Sequence, residues 1–326
     1  MDVALSNKKA DRVVMKKKKK SFLSDVKQNF YLYLLVLPGV LFFVIFKYLP
    51  MVGIVVAFQD FNAVKGIFKS KFVGLKNFEY FFTSKDWLVV TWNTLYLNLL
   101  FLITGLFFSI LIAIVLSEIG SKYFKKVTQS LVILPNFISW TLVSMFVFAL
   151  LSTDVGLINS VLKAFGFIQE GKEINFYSNP SLWVAILVVL KIWKAAGFGS
   201  VVYLAAIAGI DQEIYEAAKI DGAGRMQCIT KITLPQLKTT AVLLTLFGIG
   251  GIFHGDIGMI YAIVGDNPYL YDTTDVIDTY VFRMLRQMND MSMSTAIGLY
   301  QSLVGFVIVY ITNYFAKKYD SDSAIF

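Results

Sequence analysis

Charged side chains interrupt two apolar stretches of this sequence, and they are the groups that could do polar chemistry inside a bilayer. Lys191 and Lys194, in WVAILVVLKIWKAAGFG, lie three positions apart and therefore share one face of a helix. His254 and Asp256 follow in FHGDIG, with Asp256 at a depth comparable to that of Lys191. A charge within a bilayer is costly unless it is paired or faces a cavity. We therefore predict an ion pair between Lys191 and Asp256.

A second interpretation stays open for the same residues. The Lys194 ammonium could extend to the interface, and His254 and Asp256 could mark the boundary between membrane and water. Other polar and aromatic residues near the spans could contact a solute, and their rings could stack on sugars, although such aromatics are also typical of the interfacial belt. These further candidates for a substrate pathway are Tyr96, Asn98, Trp140, Trp193 and Tyr203.

The sequence lacks the motifs of common catalytic and nucleotide-binding sites. It contains no G-x-x-x-x-G-K-[ST] phosphate loop, no H-E-x-x-H and no G-x-S-x-G. Cys228 and His254 are its single cysteine and single histidine, too few for a Cys/His zinc cluster. We predict a protein that is not an enzyme and holds no cofactor or metal of its own. Any energy for work must then come from a partner.

The composition indicates a membrane protein. Hydrophobic residues make up 57% of the chain and the mean hydropathy is +0.65, whereas globular chains are about 45–50% apolar. The net charge of +8 could suggest nucleic acid, but nine of the 30 Lys and Arg lie within the first 30 residues. Such a basic tail favours contact with anionic lipid over nucleic-acid binding.

Six apolar stretches are long enough to cross a bilayer as helices, since each reaches about 20 residues. They do not alternate in polarity as transmembrane β-strands do. Pro135 and Asn136 in ILPNFISW, like glycines near 197 and 250, would kink helices or let neighbours pack closely. We predict an all-α integral membrane protein whose six transmembrane helices cover residues 31–57, 88–116, 127–151, 182–209, 239–264 and 295–315.

The distribution of basic residues orients these spans. With both termini inside, eighteen Lys and Arg lie on the inner side and nine in the outer loops, which predicts an N-in, C-in topology. Five of the outer lysines crowd the first outer loop, but charges flanking the first helix usually dominate orientation. The predicted divisions are a basic cytoplasmic tail (1–30), a transmembrane domain (31–320) and a C-terminal tail (321–326).

A polar insert over 210–238, containing EIYEAAKIDGAGRMQCITKITLPQLK, separates spans four and five on the cytoplasmic side. Asp211 can cap a helix whose first turn carries Glu213, favourable at the positive end of the helix dipole. Gly222 would end that helix, because glycine tolerates a left-handed cap. A second short helix follows, which we expect Pro235 to break just before span five. The pattern predicts a helix–turn–helix.

The surface of this insert favours docking of another protein. Ala217, Ala218 and Gly222 leave room for close approach, and Glu216 offers a carboxylate to a basic partner. An amphipathic hairpin resting on the inner leaflet is the alternative, but it would carry a basic polar face, whereas this one has both signs and begins acidic.

The insert resembles the EAA signature of permease subunits of binding-protein-dependent ABC importers. The matching residues are Glu216-Ala217-Ala218, then Gly222 after three intervening residues, and Ile232-x-Leu234-Pro235 after nine more. The spans and the segments FVGLKNF (72–78) and TTDVIDTYVFR (273–283) also resemble the carbohydrate, maltose-permease-like branch. Within it the chain looks most similar to permeases for oligosaccharides released from complex polysaccharides. The resemblance covers about residues 28–320.

This resemblance implies a multi-pass permease of the bacterial cytoplasmic membrane that works by alternating access. Implied partners are a second, similar permease subunit in a heterodimer, two cytoplasmic ABC ATPases that bind ATP and Mg²⁺, and an extracellular solute-binding lipoprotein that delivers an oligosaccharide. The helix from Glu213 to Asp221 would be the coupling helix in the ATPase cleft, with Glu216, Ala217, Ala218 and Gly222 as matching positions. A permease of an ABC importer for amino acids or phosphate is an alternative, because such importers share the loop. An ion-coupled secondary transporter is a less favoured alternative.

Overall fold

The computed structural model describes residues 26–319, so most of the predicted basic tail and the C-terminal tail lie outside the described residues. The chain divides after Gly53 into two compact units. The described part of the first unit is largely α1 (Phe30–Phe43) and a π-helical turn (Val44–Tyr48). None of the α1 residues is buried. A helix that is apolar on all sides fits a lipid environment rather than water.

The second unit is almost entirely helical. A 3-10 helix (Leu49–Phe58) leads into it from the first unit, and a two-stranded antiparallel sheet, β1 with β2, follows. The remaining elements are β1 (Gln59–Asp60), α2 (Gly66–Lys69), β2 (Lys71–Phe72), α3 (Lys76–Thr83), α4 (Asp86–Ser117), α5 (Lys122–Ile133), α6 (Trp140–Leu151), α7 (Leu157–Ala164), α8 (Pro180–Ala208), α9 (Gln212–Ile220), α10 (Arg225–Cys228), α11 (Leu234–Gly250), α12 (Ile257–Val264), α13 (Tyr271–Thr274), α14 (Ile277–Gln287) and α15 (Met291–Tyr319).

Within residues 26–319, five helices are long and apolar enough to cross a membrane, and a bent helix pair brings the number to six if it counts as one span. Only 11–22% of the residues in the apolar window of each of the five are buried. Their apolar side chains therefore cover the outside of the molecule, as expected of helices in lipid. This arrangement agrees with the predicted all-α membrane fold.

The third predicted span is broken. Helix Lys122–Phe137 and helix Trp140–Leu151 meet at 94°. The break follows a 3-10 turn, Leu134–Phe137, with Pro135 in its first turn, where the missing N–H of proline does least harm. A kink at Pro135 was among the sequence predictions and is confirmed.

The fifth span lies earlier in the chain than the predicted 239–264. Its helix runs from Arg225 to Gly250, and α12 is a separate, shorter helix after a break at 251–256. Gly250 and Gly251 end the long helix because glycine gains least from staying helical. The apolar run that suggested one span therefore belongs to two elements.

The core lies where α4 and α8 pack along each other. A large cluster joins Leu97 and Phe101 of α4 to Trp183 and Leu187 of α8, with α6 and α12 against it. Gly197 lets α8 approach α5, because a Cβ at this position would overlap the carbonyl oxygen of Val132. Helix α8 continues unbroken through Gly197, so this glycine serves packing rather than a kink.

Candidate coupling hairpin and polar cluster

The cytoplasmic hairpin (210–238) begins with a helix whose ends are set by local chemistry. The Asp211 carboxylate accepts a hydrogen bond from the Glu213 N–H at 3.0 Å and caps α9. Gly222 adopts φ +81° after the helix, and the Ala223 N–H reaches back to the Ala218 carbonyl at 2.8 Å. This closing bond is that of a left-handed glycine cap. The cap and the stop expected from the sequence are both observed.

Helix α9 has no buried residue. Glu216 and Ala217 are exposed and Ala218 is half-buried, while Ile220 keeps 87% of its surface accessible. A short helix that packs so little of itself against its own chain is stabilised poorly by tertiary contacts. Its exposed apolar and acidic positions therefore form a surface suited to another protein. The exposed residues include the predicted coupling positions Glu213, Asp221 and Gly222.

The second arm of the hairpin departs from the sequence prediction. Pro235 does not break a helix before span five: α10, a π-helical turn (Ile229–Thr233) and α11 run on as one helix. Proline removes an N–H and crowds the carbonyl one turn back. The wider π-helical turn just before Pro235 relieves that conflict. Ile232 lies half-buried in this turn.

Two side-chain links stabilise the hairpin, one between its two arms and one to the rest of the chain. The Tyr215 hydroxyl lies 2.9 Å from Thr233 Oγ1, which joins α9 to the root of span five. Arg225 Nε lies 3.2 Å from Glu118 Oε2, which joins the second arm to the segment after α4. A cleft lined by all four side chains separates these segments. The hairpin is thus attached through its inner side, while the outer side of α9 stays open.

Lys191 and Asp256 form the predicted ion pair. Lys191 Nζ lies 2.7 Å from Asp256 Oδ2, and both side chains remain about a third exposed, at 28% and 30%. The other carboxylate oxygen of Asp256 accepts the Met259 N–H at 3.0 Å and caps α12. Asp256 therefore fixes the start of a helix and the position of a cation at the same time. Aromatic rings of Phe101 and Trp140 face the Lys191 ammonium at 5.7 and 5.9 Å.

Lys194 points into the break of span three rather than to the interface. Its ammonium donates hydrogen bonds to the carbonyls of Asn136 at 2.9 Å, Pro135 at 3.3 Å and Ile138. It also lies 5.2 Å from the Trp140 ring. The interpretation of Lys194 as a residue that extends to the interface is wrong. The Pro135 carbonyl also accepts the Ile138 N–H at 3.2 Å, so the cation adds a donor to that carbonyl and supplies one to the carbonyls of Asn136 and Ile138.

The second break, at 251–256, is held by polar side chains from two other spans. Asn98 of α4 donates to the carbonyls of Ile252 at 2.9 Å and His254 at 3.1 Å. Gln301 of α15 donates to the Phe253 carbonyl at 2.8 Å. Irregular backbone at membrane depth is tolerated only where its polar groups find such partners. We call Lys191, Lys194, Asp256, Asn98 and Gln301 the polar cluster.

The remaining predicted pathway residues are dispersed. Tyr203 is 2% exposed and packs with Ala113, Ile207 and Leu237, so its ring cannot face a sugar in this structure, and the prediction for this residue is wrong. Trp193 is 46% exposed. Tyr96 stacks on Trp92 with ring centroids 6.1 Å apart. His254 is exposed beside the second break, and its carbonyl is the group that Asn98 holds.

Sequence reasoning missed a buried ion pair in the outer loop before α15. Arg283 Nη2 lies 2.5 Å from Asp275 Oδ2, and the guanidinium stacks 4.1 Å from the Tyr271 ring centroid. Asp275 is 5% exposed. Burial raises the pKa of the Asp275 carboxyl, while the hydrogen bond from Arg283 opposes that rise. Both residues lie in TTDVIDTYVFR, so the eight-residue spacing of opposite charges was the available signal.

The fold and these two regions define a class of protein: a multi-pass membrane protein whose sequence has no phosphate-loop motif and whose cytoplasmic side carries an exposed helix. Residues 105–321 match the family described as binding-protein-dependent transport system inner membrane component, and the chain belongs to this family. The family and the apolar helices together make it a multi-pass protein of the bacterial cytoplasmic membrane.

Individual proteins and solved structures are also similar to this chain. The chain is 39% identical over 313 residues to the polygalacturonan/rhamnogalacturonan transport system permease protein YteP of Bacillus subtilis (strain 168), with 96% of each chain covered. It also resembles a chain in the crystal structure of a bacterial ABC transporter involved in the import of the acidic polysaccharide alginate, with a TM-score of 0.81, 35% identity and coverage of 91% of this chain and 98% of that one. A second structure shows that transporter in complex with an alginate pentasaccharide-bound periplasmic protein, at the same TM-score and identity, covering 92% and 98%.

Proposed function

We propose that the chain is the permease subunit of an ATP-driven importer that takes up acidic oligosaccharides delivered by an extracellular solute-binding protein. The membership in a binding-protein-dependent family carries the transport role. The acidic cargo is favoured because the relatives named above are described with polygalacturonan, rhamnogalacturonan and alginate. A second permease subunit and two cytoplasmic ATPases complete the assembly.

Energy enters through the cytoplasmic hairpin in this proposal. Helix α9 has no buried residue, begins acidic and is capped at both ends, so it can dock as a rigid body into a cleft of the ATPase. Glu216, Ala217, Ala218 and Gly222 form its contact surface. The sequence has no phosphate-loop motif, and ATP and Mg²⁺ bind to the partner subunits in this proposal. Closure of the ATPases moves α9 and switches the transmembrane domain between outward-open and inward-open states.

The polar cluster provides the contact with cargo. Asp256 is a carboxylate held by Lys191 at a partly exposed position, beside the Trp140 ring. A uronate group of a passing oligosaccharide presents the same carboxylate chemistry. Lys191 can therefore exchange Asp256 for the sugar carboxylate and back, while the Asp256 carboxylate, 30% exposed, keeps the Met259 N–H and is otherwise left to water. Trp140 stacks on the sugar face while Asn98 and Lys194 keep the two breaks in shape.

The test is uptake by the complete complex in proteoliposomes, with the cognate binding protein, of an oligogalacturonide and of a neutral oligosaccharide of equal length. We expect ATP-dependent uptake of the acidic sugar. Lys191→Gln should lower this uptake about tenfold or more, since hydrogen bonds to charged groups contribute about 1.5–3 kcal/mol. Asn98→Leu at the neighbouring break removes two hydrogen bonds without adding a charge; it is the control for a general disturbance and should lower uptake of both sugars equally. Equal uptake of both sugars by the wild-type complex, unchanged in Lys191→Gln, would contradict the acidic cargo.

A further inference from the structure

The hairpin contains one buried polar link between its two arms. The Tyr215 hydroxyl contacts Thr233 Oγ1 at 2.9 Å, across 18 residues of sequence. Thr233 is 4% exposed and Tyr215 is half-buried. Thr233 Oγ1 also donates to the Cys228 carbonyl at 3.4 Å. Because a threonine hydroxyl has a single proton, Tyr215 is the donor to Thr233, and the two bonds form a chain from α9 into the π-helical turn.

The covalent connection between the arms is weak by comparison. The turn runs through Gly222, at φ +81°, and Gly224, and added Cβ atoms would meet nothing at Gly222 and only the Gln227 side chain, at 3.9 Å, at Gly224. Glycine gives a turn the largest backbone freedom. A push applied to α9 could therefore be absorbed in this turn. Two arms joined only there would behave as a hinge.

We propose that the Tyr215–Thr233 hydrogen bond is the strut that carries movement of α9 into span five, so that Tyr215 is a positioning residue for energy coupling. The inference rests on the proposed function of the hairpin. With the strut in place, α9, the turn and the π-helical segment form a closed triangle. A closed triangle moves as one body, whereas an open hinge does not.

The other link of the hairpin cannot take this role. Arg225 and Glu118 form an ion pair at 3.2 Å whose side chains are 81% and 42% exposed. Exposed pairs contribute little, because water screens them and their long side chains lose entropy. The pair also joins α10 to the segment after α4 and leaves α9 unattached. It serves as a matched comparison within the same hairpin.

The strut is tested by ATP hydrolysed per sugar imported, measured in the assembled complex with its binding protein. Tyr215→Phe and Thr233→Val each remove one hydroxyl, and each should raise that ratio about threefold to tenfold, the range that one net hydrogen bond represents. The double variant should be no worse than the more severe single variant. Thr233→Ser keeps the hydroxyl and should stay near wild type.

Two controls separate coupling from folding. Tyr123→Phe removes a hydroxyl from a tyrosine on α5 that is 81% exposed, and Glu118→Gln breaks the exposed pair; both should leave the ratio unchanged. The strut is overturned if Tyr215→Phe keeps the wild-type ratio, or if the losses of the two single variants multiply in the double. Failure of the wild-type complex to import any oligosaccharide would instead overturn the proposed function itself.

Discussion

The cytoplasmic hairpin and the polar cluster carry the same kinds of side chain in opposite surroundings. In the hairpin, Glu213 and Glu216 are exposed on a helix with no buried residue. In the polar cluster, Lys194 satisfies three carbonyls and Asp256 both caps α12 and holds Lys191. One region leaves its polar groups available, and the other uses them within the chain.

This difference separates two roles that polar residues have in a membrane protein. A polar group outside the bilayer can stay hydrated until a partner binds. An exposed helix with unpaired polar groups therefore costs little free energy. A polar group inside must be satisfied at all times. The Lys191–Asp256 pair joins two side chains that are each about a third exposed, whereas Lys194, Asn98 and Gln301 donate to backbone carbonyls of the two breaks. It is therefore the member that can exchange its partner, while Lys194, Asn98 and Gln301 maintain the fold.

The largest effect is expected from a charge placed at the tip of the hairpin. Gly222→Asp adds a side chain at φ +81° and a negative charge to the surface proposed to dock on the ATPase. We expect uptake to fall by about a hundredfold or more, as an uncompensated charge in an interface costs several kcal/mol, with normal insertion in the membrane. Uptake assays and membrane fractionation measure both. Near-normal transport would show that the hairpin is not the docking surface.

The ion pair of the polar cluster should respond to exchange of its charges. Lys191→Asp and Asp256→Lys each place two like charges together, and each should reduce uptake about tenfold to a hundredfold. The double variant restores an opposite pair and should recover part of the transport; recovery stays incomplete because a lysine at position 256 cannot accept the Met259 N–H that caps α12. A double variant as inactive as the single ones would contradict the exchangeable pair.

Lys194 should matter for stability more than for cargo. Lys194→Met removes the donor for three carbonyls of the break, and an unsatisfied buried polar group costs about 1–3 kcal/mol. We expect a lower thermal midpoint of the complex and an equal loss of transport for acidic and neutral sugars. Lys122→Met, at an exposed lysine that begins α5, is the matched lysine control and should leave the midpoint within error. A selective loss of acidic cargo in Lys194→Met would place Lys194 with Lys191 instead.

The smallest expected effect is the difference between alanine substitutions at two glycines of the hairpin. Gly222→Ala and Gly224→Ala both enter open space, but only Gly222 has a positive φ. We expect Gly222→Ala to destabilise the hairpin by about 1 kcal/mol and Gly224→Ala to have almost no effect. Hydrogen exchange of the hairpin amides measures the difference. Equal behaviour of the two variants would mean that the left-handed cap does not set the end of α9.

The hairpin was predictable because its signals are local. Asp211 and Gly222 bound α9 through contacts within five residues, and such caps act in any surroundings. Pro235 was misjudged because the π-helical turn that accommodates it depends on how the chain continues into the membrane. Local patterns therefore predicted the elements of the hairpin and missed the continuity between them.

The polar cluster was predictable only in part because its contacts are distant in sequence. The Lys191–Asp256 pair followed from charge and depth alone. The partners of Lys194 lie 56 to 59 residues away, and those of Asn98 lie 154 and 156 residues away. Nothing in the spacing of residues specifies which carbonyls a break will expose. The burial of Tyr203 was equally hard to predict, because it depends on how closely α4, α8 and α11 pack.

The measurement that tests the division of roles most directly is ATP hydrolysed per sugar imported, compared in Glu216→Lys and Lys191→Gln complexes with an acidic and a neutral oligosaccharide. The account predicts that Glu216→Lys raises this ratio for every cargo, because its defect lies where energy enters. Lys191→Gln should lower uptake of the acidic cargo alone and leave the ratio for the neutral one unchanged. The opposite pattern, with cargo selectivity changed by Glu216→Lys and a uniform loss in Lys191→Gln, would contradict it.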